Sequence, residues 1–171
     1  MEVLDRYATQ SSTASEEKYL QVFFERQADY YLRYYREYNS GNMFSFNTAP
    51  FIFGMFWMLY RKMFVETGFV FLFFLATSIA EELAYDFFNL GFDLQQGIGW
   101  GINIATAVAL GFCGNLLYIH HATKRIAKVL RSTADEGERI EILAKKGGTS
   151  SAPFVVIAVL MIVFILIVGT R

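Results

Sequence analysis

Gly97–Tyr118, 22 residues long, and Ala152–Gly169, 18 residues long, are apolar runs without one charged side chain. As helices they come close to the roughly 17–25 residues that cross a bilayer. A helix that is apolar on every side belongs in a large core or in lipid. The chain has only 171 residues, of which 54% are apolar and 18% charged, against roughly 45–50% and about 25% in soluble domains. It has too little polar surface to enclose such segments in water, so an integral membrane protein is expected. Fifteen Lys plus Arg against sixteen Asp plus Glu leave a net charge of -1, with no basic field for nucleic acid. One Cys and two His form neither a disulfide nor a good zinc set. Met1–Ser40 is charged throughout and has no apolar signal-peptide core, so the first membrane segment is expected to act as the signal.

The chain is expected to be all-α. Residues 1–13 read as a flexible N-terminus, and Thr13 and Glu16 fit a capping box that opens a helix. Leu20, Phe23, Phe24, Ala28, Tyr31, Tyr34, Tyr35 and Tyr38 recur at helical steps among charged residues until Asn39-Ser40-Gly41, which predicts one amphipathic helix over 14–38. Five of the ten tyrosines fall between Tyr30 and Tyr38, so this helix either lies at headgroup level or packs on the cytoplasmic end of a neighbour. Residues 14–48 form the cytoplasmic helix and linker, and 49–171 the membrane domain. Ala49–Tyr60 spans about 18 Å as a helix, too short to cross, and reads as a re-entrant or interfacial helix. Pro50 would stand in its first turn, with Trp57, Tyr60, Arg61 and Lys62 as an aromatic and basic anchor at its end.

Three spans are expected: 63–80, 97–118 and 152–169. Glu81, Glu82, Asp86 and Asp93 occupy the first connecting loop without Lys or Arg, whereas residues 119–151 carry Lys124, Arg125, Lys128, Arg131, Arg139, Lys145 and Lys146. The positive-inside rule then places the N-terminus and the basic loop in the cytoplasm and the short C-terminus outside. A short helix over 136–146 is expected to end at Gly147, with Thr149 to Ser151 capping the last span and Pro153 in its first turn.

Few positions suit chemistry. Glu66 stands one turn after Lys62 and reads as an interfacial ion pair. Gly97, Gly101, Ala105, Ala109 and Cys113 stand four apart, a small-residue ridge for packing on the other spans or for self-association. Asn115, Tyr118 and His121 form a polar strip where the same helix leaves the membrane, read first as a buried hydrogen-bond network. Cys113 and His120 lie about 10.5 Å apart along the helix, too far for a nucleophile and its base. Glu82 and Asp86 have no catalytic partner nearby and read as solvated charge. No catalytic residue, cofactor site or metal site is expected.

Tyr31-Leu32-Arg33, the string Phe46-Asn47-Thr48-Ala49-Pro50-Phe51-Ile52-Phe53-Gly54, FW-x-x-YRKM over Phe56 to Met63, GN-x-x-Y-x-x-H over Gly114 to His121, and Gly147-Gly148-Thr149-Ser150 together resemble a family of small bacterial inner-membrane proteins that carry a domain of unknown function. The resemblance covers about residues 19–151, with Phe46 where the family usually has tryptophan. It implies a multi-pass protein of the bacterial inner membrane and no particular activity. It directs attention to Trp57, Tyr60, Arg61 and Lys62 together with Asn115, Tyr118 and His121. These are expected to meet around an anionic headgroup or partner segment, Arg61 supplying charge and Tyr118 and His121 hydrogen bonds. The expected role is non-enzymatic: interaction with membrane lipids and with a protein partner or second copy, as accessory or scaffold subunit. The alternative is a small oligomeric transporter or channel using Glu66, Asn103, Thr106 and Asn115.

Overall fold

A computed structural model describes residues 15–42 and 44–169. The described residues are helical, with no strand. The order is α1 (15–24), α2 (Ala28–Asn39), α3 (Thr48–Phe53), α4 (Met55–Tyr60), α5 (Phe64–Phe88), α6 (Phe92–Ser132), α7 (Glu136–Lys146) and α8 (Ala152–Gly169). The Thr13 cap, the N-terminus 1–13 and the extreme C-terminus lie outside the described residues.

The single helix expected over 14–38 is a helical hairpin. A 3-10 turn, Glu25–Gln27, interrupts it, with Glu25 at φ 50°. Arg36 then forms a two-pronged ion pair with Glu17, Nε to Oε1 at 2.9 Å and Nη2 to Oε2 at 2.6 Å. In an unbroken helix these residues would stand about 28 Å apart. Periodicity survives the break because both halves bury apolar faces: Tyr19, Leu20, Phe23 and Phe24 from α1, and Ala28, Tyr31, Leu32 and Tyr35 from α2. Tyr31 and Tyr35 of the tyrosine-rich face are buried against α6 and its neighbours.

Among the described residues two helices, α5 and α6, are long and apolar enough to cross a membrane, rather than the three expected. α8 has 18 residues, a rise of about 27 Å, slightly under a roughly 30 Å hydrocarbon core. Both spans also run past their expected ends. The acidic loop predicted over 81–96 shrinks to a turn at Asn89–Gly91, where Asn89 adopts a left-handed C-cap at φ 49°. Glu81, Glu82 and Asp86 sit on the last turns of α5, because no helix breaker precedes Asn89. α6 has 41 residues, about 61 Å, so half of the expected basic loop is a rigid extension of the span.

α5 and α6 run antiparallel. Glu66 reaches His121 at one end, and at the other the Tyr85 hydroxyl donates to the Gln95 carbonyl at 3.0 Å. α5 is almost wholly exposed, with only Thr67 buried, and its Phe69 and Phe73 line a small cleft with Ala109 and Cys113 of α6.

The core lies at the base of α6. Tyr118, Ala122, Ile126 and Val129 line one face of α6 and receive α1, α2 and Leu143 of α7. On the opposite side of this extension Lys124, Lys128 and Arg131 are exposed. Asp135 caps α7, accepting from the Glu138 amide at 2.7 Å, and the helix ends at Gly147 as expected. Gly147 and Gly148 pass directly over the end of α1: the Gly148 amide donates to the Phe23 carbonyl at 2.8 Å, and a Cβ on Gly147 would collide with that carbonyl. Gly148, at φ 65°, also adopts a backbone that other residues avoid.

Candidate functional site

The segment between α2 and α5 builds the site. Asn47 opens α3: its Oδ1 accepts from the Ala49 amide at 3.0 Å, leaving Pro50 in the first turn where no amide is needed. The Pro50 ring lies against α6 where Gly114 has no side chain, and Phe46 and Phe51 cover Gly111 in the same way. The Asn47 amide donates to the Gly111 carbonyl at 2.8 Å, and its Nδ2 donates to Asn115 Oδ1 at 2.8 Å. Asn115 Nδ2 in turn donates to Ser45 Oγ at 3.2 Å and Tyr30 Oη at 3.3 Å. A buried amide pair thus joins α2, α3 and α6, and every partner it uses would cost about 1–3 kcal/mol if left unmade.

Gly54, at φ 50°, then breaks the expected single helix 49–60 into α3 and α4. The turn points Trp57 and Met58 inward and carries Arg61 under α2. Arg61 is 3% exposed. Its Nη2 donates to Gln27 Oε1 and, at 3.1 Å, to Tyr31 Oη. Its guanidinium carbon lies 5.0 Å from the ring centres of both Tyr31 and Tyr118. Nε has no hydrogen-bond partner among the described residues, and no described carboxylate forms an ion pair with Arg61. Two aromatic faces attract a cation by about 2 kcal/mol each when desolvated, which only partly offsets the several kcal/mol of burying it. Burial pushes the Tyr31 hydroxyl up to about 12, the Arg61 charge acting in the opposite sense.

Beside Arg61 opens a cavity of about 740 Å³, within the range of small-ligand sites. Arg26, Gln27, Asp29 and Arg61 form its polar end; Phe53, Phe56, Trp57, Tyr60 and Phe154 form an aromatic wall. The Ser150 amide donates to the Tyr60 carbonyl at 2.9 Å, so α8 begins beside the end of α4, where α5 also begins. The cavity therefore sits at the level where the apolar helices start. Among the described residues no group of three His, Cys, Asp or Glu gathers to hold a metal ion.

The two clusters singled out from sequence do come together: Trp57 meets Tyr118 with ring centres 6.0 Å apart, and Arg61 lies over the same ring. Their roles differ from those expected. Tyr118 is fully buried beneath Arg61, and His121 Nδ1 pairs with Glu66 Oε1 at 2.8 Å, so neither is placed to bind a headgroup. Lys62 does not pair with Glu66. At φ 59° it turns away, and its Nζ donates to the carbonyls of Lys145, at 3.1 Å, and Gly147, capping α7. Gly97, Gly101, Ala105 and Ala109 are exposed, and a Cβ at Gly97 or Gly101 would meet nothing within 4 Å. The ridge that packs inside the chain is Gly111, Gly114, Asn115 and Tyr118. Sequence reasoning missed Asn47, Tyr30 and Gln27. An Asn three residues before a helix-opening Pro was a usable signal for Asn47; Gln27 reaches Arg61 only because the chain reverses at 25–27.

The fold and site define an all-helical protein with two candidate membrane helices and a helical cap packed on the base of the longer one. A family model described as "Protein of unknown function (DUF2628)" matches residues 12–124, more than half of the chain, and the chain belongs to that family. The match runs from the hairpin through the cavity segment to the lower part of α6, and ends before Gly147–Ser150. No curated protein and no solved structure matches the chain.

Proposed function

We propose that this chain is a non-enzymatic inner-membrane protein that acts by interaction, as an accessory or scaffold subunit that also contacts lipid. Its cap of α1, α2 and α7 faces the cytoplasm, and the acidic α5–α6 turn faces outside. The positive-inside rule supports this orientation, since the exposed Lys124, Lys128 and Arg131 lie on the cap side of α6. The observation that carries the reading is where polar groups are used. Asn103 donates to the Gly99 carbonyl and Thr106 to the Ile102 carbonyl, both at 2.8 Å on their own helix, while Glu66 is held by His121 and Asn115 by the Asn47 pair. The four residues on which a transport path would depend are all engaged internally, which favours interaction over transport. The surface of the long helices is apolar and exposed: Phe69, Phe71 and Leu72 on α5, Trp100 and Ile104 on α6, and most of α8.

Extraction of the tagged protein at native expression in a mild detergent, followed by native gel separation and mass spectrometry, tests the reading. A stable complex with other membrane proteins is expected. A lone monomer migrating without partners would sink it.

A further inference from the structure

The cavity beside Arg61 has a buried cation at one end and an aromatic wall at the other. Its formal charge does not cancel: Arg26 and Asp29 offset each other at the mouth, and Arg61 remains. The cation is nearly sealed from water, has an unused Nε, and is neutralised by no described carboxylate. A buried guanidinium with an unused donor is a good match for a phosphate oxygen, since charge-assisted hydrogen bonds are about twice as strong as neutral ones. The aromatic wall does not suit a free ion. Phe53, Phe56 and Phe154 lead from the polar end to the level where α5 and α8 begin, and Phe53 and Phe56 remain largely exposed. A ligand that satisfies both ends carries an anionic phosphate and a hydrocarbon chain.

We propose that the cavity seats one anionic phospholipid, its phosphodiester on Arg61 beside Gln27 and the start of an acyl chain along Phe53, Phe56 and Phe154. The assignment rests on the membrane placement argued above for α5 and α6. It replaces Tyr118 and His121 with Gln27 and Tyr31 as the neighbours of the headgroup. Tyr118 serves as the floor: its ring holds the guanidinium from below, so the cation is presented rather than free to swing toward solvent. Bulk attraction of anionic lipid to the basic face of α6 would be loose and salt-sensitive; this site is a defined cavity built around one buried cation and takes a single molecule.

The decisive variant is Gln27→Glu. It keeps the shape of the side chain that already contacts Arg61 Nη2 and supplies the missing counter-charge from within. The purified full chain in neutral detergent is titrated with short-chain phosphatidylglycerol, with phosphatidylcholine of the same chains, and with inorganic phosphate. Native mass spectrometry reads stoichiometry, and thermal unfolding reads stabilisation. Wild type is expected to take one phosphatidylglycerol about tenfold more tightly than phosphatidylcholine, with no stabilisation by inorganic phosphate. Gln27→Glu is expected to lose that preference while unfolding, without lipid, at the wild-type temperature or above. Equal binding of the two lipids by wild type would overturn the proposal. So would stabilisation by inorganic phosphate equal to that by phosphatidylglycerol, which would make this a free-phosphate site. Unchanged phosphatidylglycerol binding by Gln27→Glu would overturn it as well. Thr48→Trp, at an exposed position on the cavity rim, is a second check: it keeps Arg61 and Gln27, and should exclude the lipid by filling space. Native complexes retained by Gln27→Glu alongside lost lipid would separate this site from the interaction reading.

Discussion

At the scale of single residues, the molecule depends on where side chains are missing as much as on where they are present. Gly114 lets the Pro50 ring rest on the α6 backbone, and the same contact brings Asn47 within 2.8 Å of Asn115. Gly114→Ala would drive a methyl group into a ring fixed at the start of α3, an overpacking that costs about 1–3 kcal/mol. Gly101→Ala meets open space and is expected to be neutral or to stabilise by up to about 1 kcal/mol through helix propensity. Thermal unfolding of the two variants in detergent checks the contrast, and equal effects would contradict the packing of α3 on α6. Packing within the chain uses Gly111 and Gly114, not the ridge expected to serve either internal packing or self-association. The ridge from Gly97 to Cys113 is the more regular pattern, but regular spacing says only that a helix has a smooth side. Which side receives a neighbour is decided by Pro50 and Asn47, more than 60 residues away in the chain. The Lys62–Glu66 pair failed for a similar reason: Lys62 leaves helical geometry at φ 59°, so the four-residue spacing no longer places the two side chains on one face.

At the scale of elements, the reversal at Glu25–Gln27 turns an amphipathic segment into a cap. Helical periodicity was enough to place α2, α7 and both spans, because burial of one face or of all faces leaves a visible pattern. It could not locate the break, since α1 and α2 present apolar faces of the same kind and no Gly or Pro marks the turn. The tyrosines of α2 report on this packing. Burial raises the Tyr30 and Tyr31 hydroxyls from 10.0 to about 12. A hydroxyl whose value is raised by folding keeps its proton where the unfolded chain gives it up. Its stabilising contribution is complete below pH 10 and is lost as pH climbs through about 12. Tyrosinate absorbance in the folded protein should therefore include a class that ionises only near pH 12, and Tyr30→Phe should shrink it. Ionisation of all the tyrosines near pH 10 would contradict the burial of α2 against α6.

At the scale of the whole molecule, the account describes a two-helix apolar hairpin whose longer member carries a rigid polar cap, with a cation-bearing cavity where cap and hairpin meet. Both candidate membrane helices were legible from their apolar runs, and so was the segment that builds the cavity. The number of spans was not, because α8 ends with its apolar run, at the lower limit of crossing, whereas α5 and α6 extend well past theirs. The extent of α6 was hidden too, since charged residues after Tyr118 end the apolar run but give a helix no reason to stop.

The measurement that tests the central claim most directly is the sidedness of the hairpin. With Cys113 replaced by Ser, single cysteines at Asp93 and Lys128 are exposed to a membrane-impermeant maleimide in intact spheroplasts and after permeabilisation. The account predicts that Asp93→Cys is labelled in intact spheroplasts and Lys128→Cys only after permeabilisation. Labelling of both positions from the same side would contradict a crossing hairpin with a cytoplasmic cap.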